Sequence, residues 1–402
     1  RMLGLFMILP VFVLYAEKLA VITPFLIGVA IGIYGLTQAI FQIPFGIWSD
    51  RIGRKPVIIF GLLLFALGSV VAALATSIEW IIIGRALQGT GAIAAAVMAL
   101  AADLTREQHR TKVMAIIGGS IGFSFMLALI LGPILQAWFG VPGIFWLTAV
   151  LALLGILIVS FLVPNVQLPK MQSELSVGRR GLGLAINNAQ LLRLDFGVFI
   201  LHMVLTAVFV VVPSMLQKQF ALDMADHWQV YLAVMLASIV LLIPSIIFSE
   251  KKQKTKEVLL AAIFLCILSQ LSLFQSDLSF WSFILAMVVF FWGFNLLEAT
   301  LPSLVSKTCN AGNKGAAMGV FSSSQFFGAF VGGSASGLIL QRYDASGVFL
   351  FAAIMLTLWF LVAFSMRKPD HRPSYSFQVG VMASQQAAVV AQQLQDFEGV
   401  LD

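Results

Sequence analysis

The stretch Gly46–Ile58, GIWSDRIGRKPVI, sets one acid and three bases (Asp50, Arg51, Arg54, Lys55) between two long apolar runs, IGVAIGIYGLTQAIFQIPF before it and IFGLLLFALGSVVAALA after it. An apolar run of about twenty residues crosses the hydrocarbon core of a bilayer as a helix. A short basic connection between two such runs marks the cytoplasmic side. Gly53 suits the tight turn that joins two antiparallel spans, and Gly46 suits close helix approach.

Outward from this stretch the alternation continues along the whole chain. Spans fall near 1–16, 25–46, 56–76, 80–102, 112–138, 142–163, 195–216, 228–249, 258–275, 279–304, 315–340 and 346–366, twelve in all. Composition agrees: 60% of the 402 residues are hydrophobic and 10% are charged, where a soluble domain carries roughly 25% charge. The expected fold class is an all-α membrane protein of twelve transmembrane helices. Cys266 and Cys309 make no disulfide framework, and His109, His202, His227 and His371 lie too far apart for metal-ligand spacing. No metal or other cofactor is expected. The first run opens at Arg1 without an initiator Met, which reads as a fragment whose N-terminus lies upstream.

The net charge of +6 is explained by topology rather than by nucleic acid. Connections after even-numbered spans hold Arg51, Arg54 and Lys55; Arg106, Arg110 and Lys112; Lys170, Arg179, Arg180 and Arg193; Lys251, Lys252, Lys254 and Lys256; Lys307 and Lys314; and Arg367, Lys368 and Arg372. Connections after odd-numbered spans hold only Lys18, Lys218 and Arg342, among acids. Both termini are therefore expected in the cytoplasm. Trp80, Trp138, Trp228 and Trp281 fall at the opposite ends, as an interfacial belt does.

The polar segment 164–194 divides the spans six and six, predicting an N-terminal bundle over 1–163 and a C-terminal bundle over 195–367. Ser49, Asp50, Arg51 and Arg54 align with Ser249, Glu250, Lys251 and Lys254 at an offset near 200. Two-fold repetition of this kind places a substrate site between the halves. Past 367, Tyr375, Phe377, Val379 and Val381 alternate as a strand would, and Ala387, Val390, Leu394 and Phe397 share a helical face. Residues 368–402 read as a truncated cytoplasmic βα segment.

The Gly46–Ile58 stretch resembles the signature loop of the major facilitator superfamily, with Gly46, Asp50, Arg51, Gly53, Arg54 and Lys55 at the family's positions and departures at Trp48 and Ile58. GRALQGTGA resembles a second family stretch through Arg85, Gln88, Gly89 and Gly91. A third, antiporter-type motif survives only as Gly132 and Pro133. The resemblance implies a two-bundle fold that alternates in access, and a pairing of Arg54 with Asp103. It extends to bacterial inner-membrane members that carry a small ferredoxin-like α+β C-terminal domain, and so implies that location.

Ionisable groups inside the membrane are costly and informative. Glu298, in WGFNLLEATLP, lies nine residues from Lys307, roughly 13 Å along a helix and near the midplane. It is the candidate proton carrier; the alternative is a permanently protonated structural Glu. Asn295 shares its face. His202 lies at similar depth and either carries protons or packs. Arg85 either holds an anion, tunes a proton site or snorkels outward. Tyr34, Gln38 and Gln42 form a polar stripe, which with Gln88, Asn295 and Gln325 outlines a substrate cavity. Asp50 is placed to dock on the N-terminus of the eleventh span near Gly315 when the outer side opens, a contact of roughly 0.3–1 kcal/mol.

Together these features predict a secondary transporter that exports a small apolar or amphipathic compound in exchange for protons. Its partners are that solute, protons and the bilayer, with no nucleic acid. No phosphate-cradling loop or nucleophile–base pair suggests an ATPase or enzyme. Metabolite uptake by symport, and a non-transporting sensor that uses the C-terminal domain, stand as alternatives.

Overall fold

Hydrocarbon leaves no water to satisfy an open backbone, so runs this apolar are stable only as helices. The computed structural model describes residues 1–19, 22–164, 183, 186–275, 278–309 and 314–366, and these are helical almost throughout, with no strand among them. In chain order the helices are α1 (Met2–Phe6), α2 (Phe12–Ala16), α3 (Pro24–Ile52), α4 (Arg54–Ala73), α5 (Ile78–Thr90), α6 (Ala94–Asp103) and α7 (Glu107–Phe161). They continue with α8 (Ala189–Lys218), α9 (His227–Lys251), α10 (Thr255–Leu273), α11 (Phe280–Thr308) and α12 (Lys314–Phe364). The predicted βα segment 368–402 and most of the connection 164–194 lie outside the described residues.

Among the described residues nine runs are long and apolar enough to cross a membrane. Two are too long to be single crossings: α7 has 55 residues, about 80 Å at helical rise against a core of about 30 Å. Each contains a break. In α7 it falls at Gly140 (φ 67°), and in α12 at Tyr343 and Asp344 (φ 56°). The predicted span 1–16 is not one helix. Turns over residues 7–11 separate α1 from α2, and Pro10 among them has no N–H to donate and a ring that crowds the carbonyl four residues back.

The signature stretch is not a loop in the ordinary sense. Helix runs to Ile52 and resumes at Arg54, so Gly53 alone turns the corner, at φ 102° and ψ 153°. Gly46, in contrast, has only the Ala95 methyl at ordinary contact distance, 3.5 Å from an added Cβ, and is not there for close packing.

The two-fold repetition anticipated at an offset near 200 recurs in the backbone. Pro44 lies inside α3 and Pro244 inside α9. The corner after each has positive φ, at Gly53 and at Gln253 (φ 52°). Lys55 donates to the carbonyls of Ser160 and Val163 at 3.4 and 2.8 Å, and Lys256 to those of Phe364 and Met366 at 2.8 and 2.5 Å. Each lysine thus caps the C-terminal end of the last helix of its half, where the carbonyls lack partners and the dipole is negative.

One contact between the halves decides the shape of the centre. Glycines of α3 and α12 let the two backbones touch: a Cβ on Gly28 would sit 2.0 Å from the Gly333 carbonyl oxygen, on Gly32 2.8 Å from that of Phe330, and on Gly35 2.4 Å from that of Phe326. The contact runs from Pro24 and Gly337 to the Tyr34–Phe326 ring pair, 6.2 Å apart. Towards the corner end it stops: a Cβ at Gly315 or Gly319, or at Gly118, Gly119 or Gly122 of α7, would meet nothing within 4 Å. At the far end Glu17 accepts from Lys218 at 2.9 Å and from Ser214 at 3.0 Å, tying the segment after α2 to α8.

Candidate functional site

The GRALQGTGA segment supplies α5 and its glycine-lined crossings. Gly84 faces the Gly68 carbonyl, Gly89 that of Tyr34 and Gly91 that of Gly61, each too close for a Cβ. This packing presses Arg85 against α3 with 2% of its surface exposed. Its guanidinium donates to Gln88 Oε1 at 3.1 Å and to the carbonyls of Ile31 and Ala30 at 3.2 and 3.4 Å, and lies 5.2 Å from the Tyr34 ring centroid. Gln88 passes the chain on to Ser69 Oγ at 2.8 Å. Arg85 does not snorkel outward; its donors are held inside.

The stripe on α3 is buried and connected. Gln38 donates to Gln42 Oε1 at 2.8 Å. A residue the sequence reading passed over as the start of the chain joins it: Arg1 donates to the Tyr34 hydroxyl at 2.7 Å and to Gln38 Oε1, 5.9 Å from the Tyr34 ring centroid and 5.4 Å from that of Phe65. The available signal was a cation heading an apolar run.

The other half gathers a second cluster. His202 Nε2 lies 3.6 Å from Glu298 Oε2 and 2.7 Å from Gln325 Nε2, while its Nδ1 faces the Val198 carbonyl at 3.2 Å. The carbonyl places a hydrogen on Nδ1, so the network assigns Nε2 as the acceptor for the Gln325 amide. Glu298 keeps 40% of its side chain exposed and His202 13%. Three residues chosen separately from sequence thus meet across α8, α11 and α12. Asn295 does not join them: it donates to Ser238 Oγ of α9 at 3.2 Å. The two clusters approach each other along α12, since Gln325 serves one and its neighbour Phe326 packs on Tyr34 of the other.

At the corner, Arg54 gathers its neighbours. It pairs with Asp50, donates to Asp103 Oδ2 at 3.1 Å and to Ser49 Oγ at 2.9 Å, joining α3, α4 and the end of α6. Asp50 is engaged by Arg54 here, and the Gly315 end of α12 stands open. Arg51 is exposed, and Lys55 caps α7 rather than lying free.

The sequence model of the Major Facilitator Superfamily matches residues 1–305 and 194–391. The chain belongs to this superfamily. It is therefore a multi-pass membrane transporter of the secondary type, and not an enzyme. The inner membrane transport protein YajR of Escherichia coli (strain K12) is 47% identical over 379 residues, 94% of this chain and 83% of that protein. The class H tetracycline resistance protein of Pasteurella multocida is 36% identical over 114 residues, 28% of each chain. Among solved structures, a bacterial homolog of the human lysosomal transporter Spinster, described as inward-facing and occupied, superposes with a TM-score of 0.72 at 12% identity. It covers 90% of this chain and 93% of that one.

Proposed function

We propose that this transporter exports a small apolar or amphipathic solute in exchange for protons, by alternating access between two six-helix bundles, 1–163 and 195–367, with both termini in the cytoplasm. Dividing the two over-long helices at Gly140 and Tyr343–Asp344, and counting 1–16 as a span, raises the nine candidate spans to twelve. The basic corner end is then cytoplasmic, and the conformation is closed outside along α3–α12 and open inside. Removal of a solute from the cell is one way to resist it, and the matched tetracycline resistance protein supports export as the direction.

The observation that carries the reading is the His202–Glu298–Gln325 cluster. A proton arriving at Nε2 turns that atom from acceptor to donor. The Gln325 amide must then turn its oxygen inward, and Glu298 becomes the partner of a cation. Proton occupancy therefore changes a contact made by α12, the helix that closes the centre. One charge crossing 100 mV supplies about 2.3 kcal/mol, ample for such a change. The sparse charge around the centre suits an amphipathic solute better than a sugar or polyanion.

Proteoliposomes containing the wild type are expected to show solute-dependent proton movement, and Glu298→Gln to lose it while still binding solute. Equal proton movement in both would remove Glu298 from the proton-carrying cluster.

A further inference from the structure

The first cluster has a property the proton cycle does not use. Arg1 and Arg85 both lie over the Tyr34 ring, and every acceptor they meet is neutral: the Tyr34 hydroxyl, the Gln38 and Gln88 amides and two backbone carbonyls. Among the described residues neither guanidinium has a carboxylate partner; the ion pairs formed belong to Arg54, His202 and Lys218. Two like charges sharing one ring repel each other, and removal from water leaves that of Arg85 uncompensated. An anion relieves both.

Two donors remain on these neighbouring groups. Arg1 Nε is buried and has no partner, in a residue that is itself only partly buried. The Tyr34 oxygen accepts from Arg1, which leaves its own hydroxyl hydrogen to donate. A guanidinium N–H beside a phenol hydroxyl suits a carboxylate or similar monoanion. The surroundings are apolar: Leu5, Phe65, Ala66 and Ala152 pack around Tyr34, with Met2 and Phe326 at the margin. Arg85 lies beneath, too buried to touch a solute, and adds field rather than contact.

We propose that Arg1 and Tyr34, positioned by Gln38 and backed by Arg85, form a subsite for the negatively charged group of the transported solute, which is thereby a monoanion on an apolar body. This rests on the transport reading above and names the substrate class within it. Exchange of one inward proton for one outward monoanion would be electrogenic.

The test uses three probes that share one ring system and differ in charge: 1-naphthoate, 1-naphthylmethanol and 1-naphthylmethylammonium. Equilibrium dialysis against the full-length protein in nanodiscs is expected to give saturable naphthoate binding at least about tenfold tighter than the cation, the scale of one charge-assisted hydrogen-bonded contact. Arg1→Gln should lose that preference and keep naphthylmethanol binding, which shows that the site is still folded. Arg1→Lys should retain most of the preference. Equal affinity for the three probes, tighter binding of the ammonium, no saturable naphthoate binding, or an unaltered preference in Arg1→Gln would overturn the proposal. The transport reading fails separately: naphthoate that binds but moves no protons in proteoliposomes sinks proton coupling and leaves the anion subsite standing. Protons moved by the ammonium and not by naphthoate do the reverse.

Discussion

Single residues divide into those whose role follows from their type and those whose role follows from their neighbours. Gly53 is of the first kind, since its φ of 102° with ψ of 153° is a conformation only glycine holds without strain. Gly53→Ala is expected to cost about 1–3 kcal/mol, read as a lower midpoint of thermal inactivation in detergent. Gly46→Ala should be nearly silent in the same assay, because its new methyl would meet Ala95 at ordinary contact distance, 3.5 Å. The family pattern carries both glycines, and only the backbone tells them apart. The family resemblance implied Arg54 as a partner of Asp103, and the two lie 3.1 Å apart. Lys55 was not legible as a cap on α7, because its two carbonyl acceptors lie more than a hundred residues away. Asn295 went to Ser238 rather than Glu298 for a related reason: position on one helical face sets which neighbours are possible, and the packing of α9 sets which one is nearest.

At the scale of elements, α3 and α12 act as a pair that is in contact over one half of their length and parted over the other. Any side chain added at Gly28 would collide with the Gly333 carbonyl oxygen, 2.0 Å from its Cβ. Gly28→Val is therefore expected to hold the far end apart. Cysteines introduced there in the variant should label with a membrane-impermeant maleimide faster than in the Gly28 parent; unchanged labelling would show that the glycine contact is not the closure. The expected contact of Asp50 with the start of α12 is not made here, where Asp50 is paired with Arg54 and the start of α12 is open. Docking of Asp50 there in the opposite conformation predicts that Asp50→Asn, made in an Arg54→Gln background that lacks its present partner, shifts the population towards the conformation described by less than about tenfold, given the roughly 0.3–1 kcal/mol of a charge at a helix terminus. Distances between spin labels at the ends of α3 and α12 would report that shift. Helix positions were readable because apolar length is a property of consecutive residues. The break at Pro10 was harder, since a turn inside an apolar run leaves hydropathy almost unchanged, whereas the one at Tyr343–Asp344 falls in the polar connection expected between the spans 315–340 and 346–366.

Across the whole molecule, the far end is closed by the glycine contact and by Glu17 with Lys218 and Ser214. Lys218 is 64% exposed, so the pair contributes about 0.2–1 kcal/mol and is screened by salt. Lys218→Glu should open the far end several-fold at low ionic strength, and Glu17→Lys combined with it should restore closure; both effects should fade in high salt, measured by the same maleimide labelling. Membrane residence and the two-fold repetition could be read from the chain, because each depends on composition or on fixed spacing along it. The meeting of His202, Glu298 and Gln325, the capture of Arg1 by Tyr34, and the end at which the halves touch could not. Those depend on which helix faces are brought together, and hydrocarbon, as apolar as the side chains it solvates, exerts no pull on sequence that would reveal a helix's neighbours. Small residues and directed hydrogen bonds choose them, and these act only once the helices are side by side.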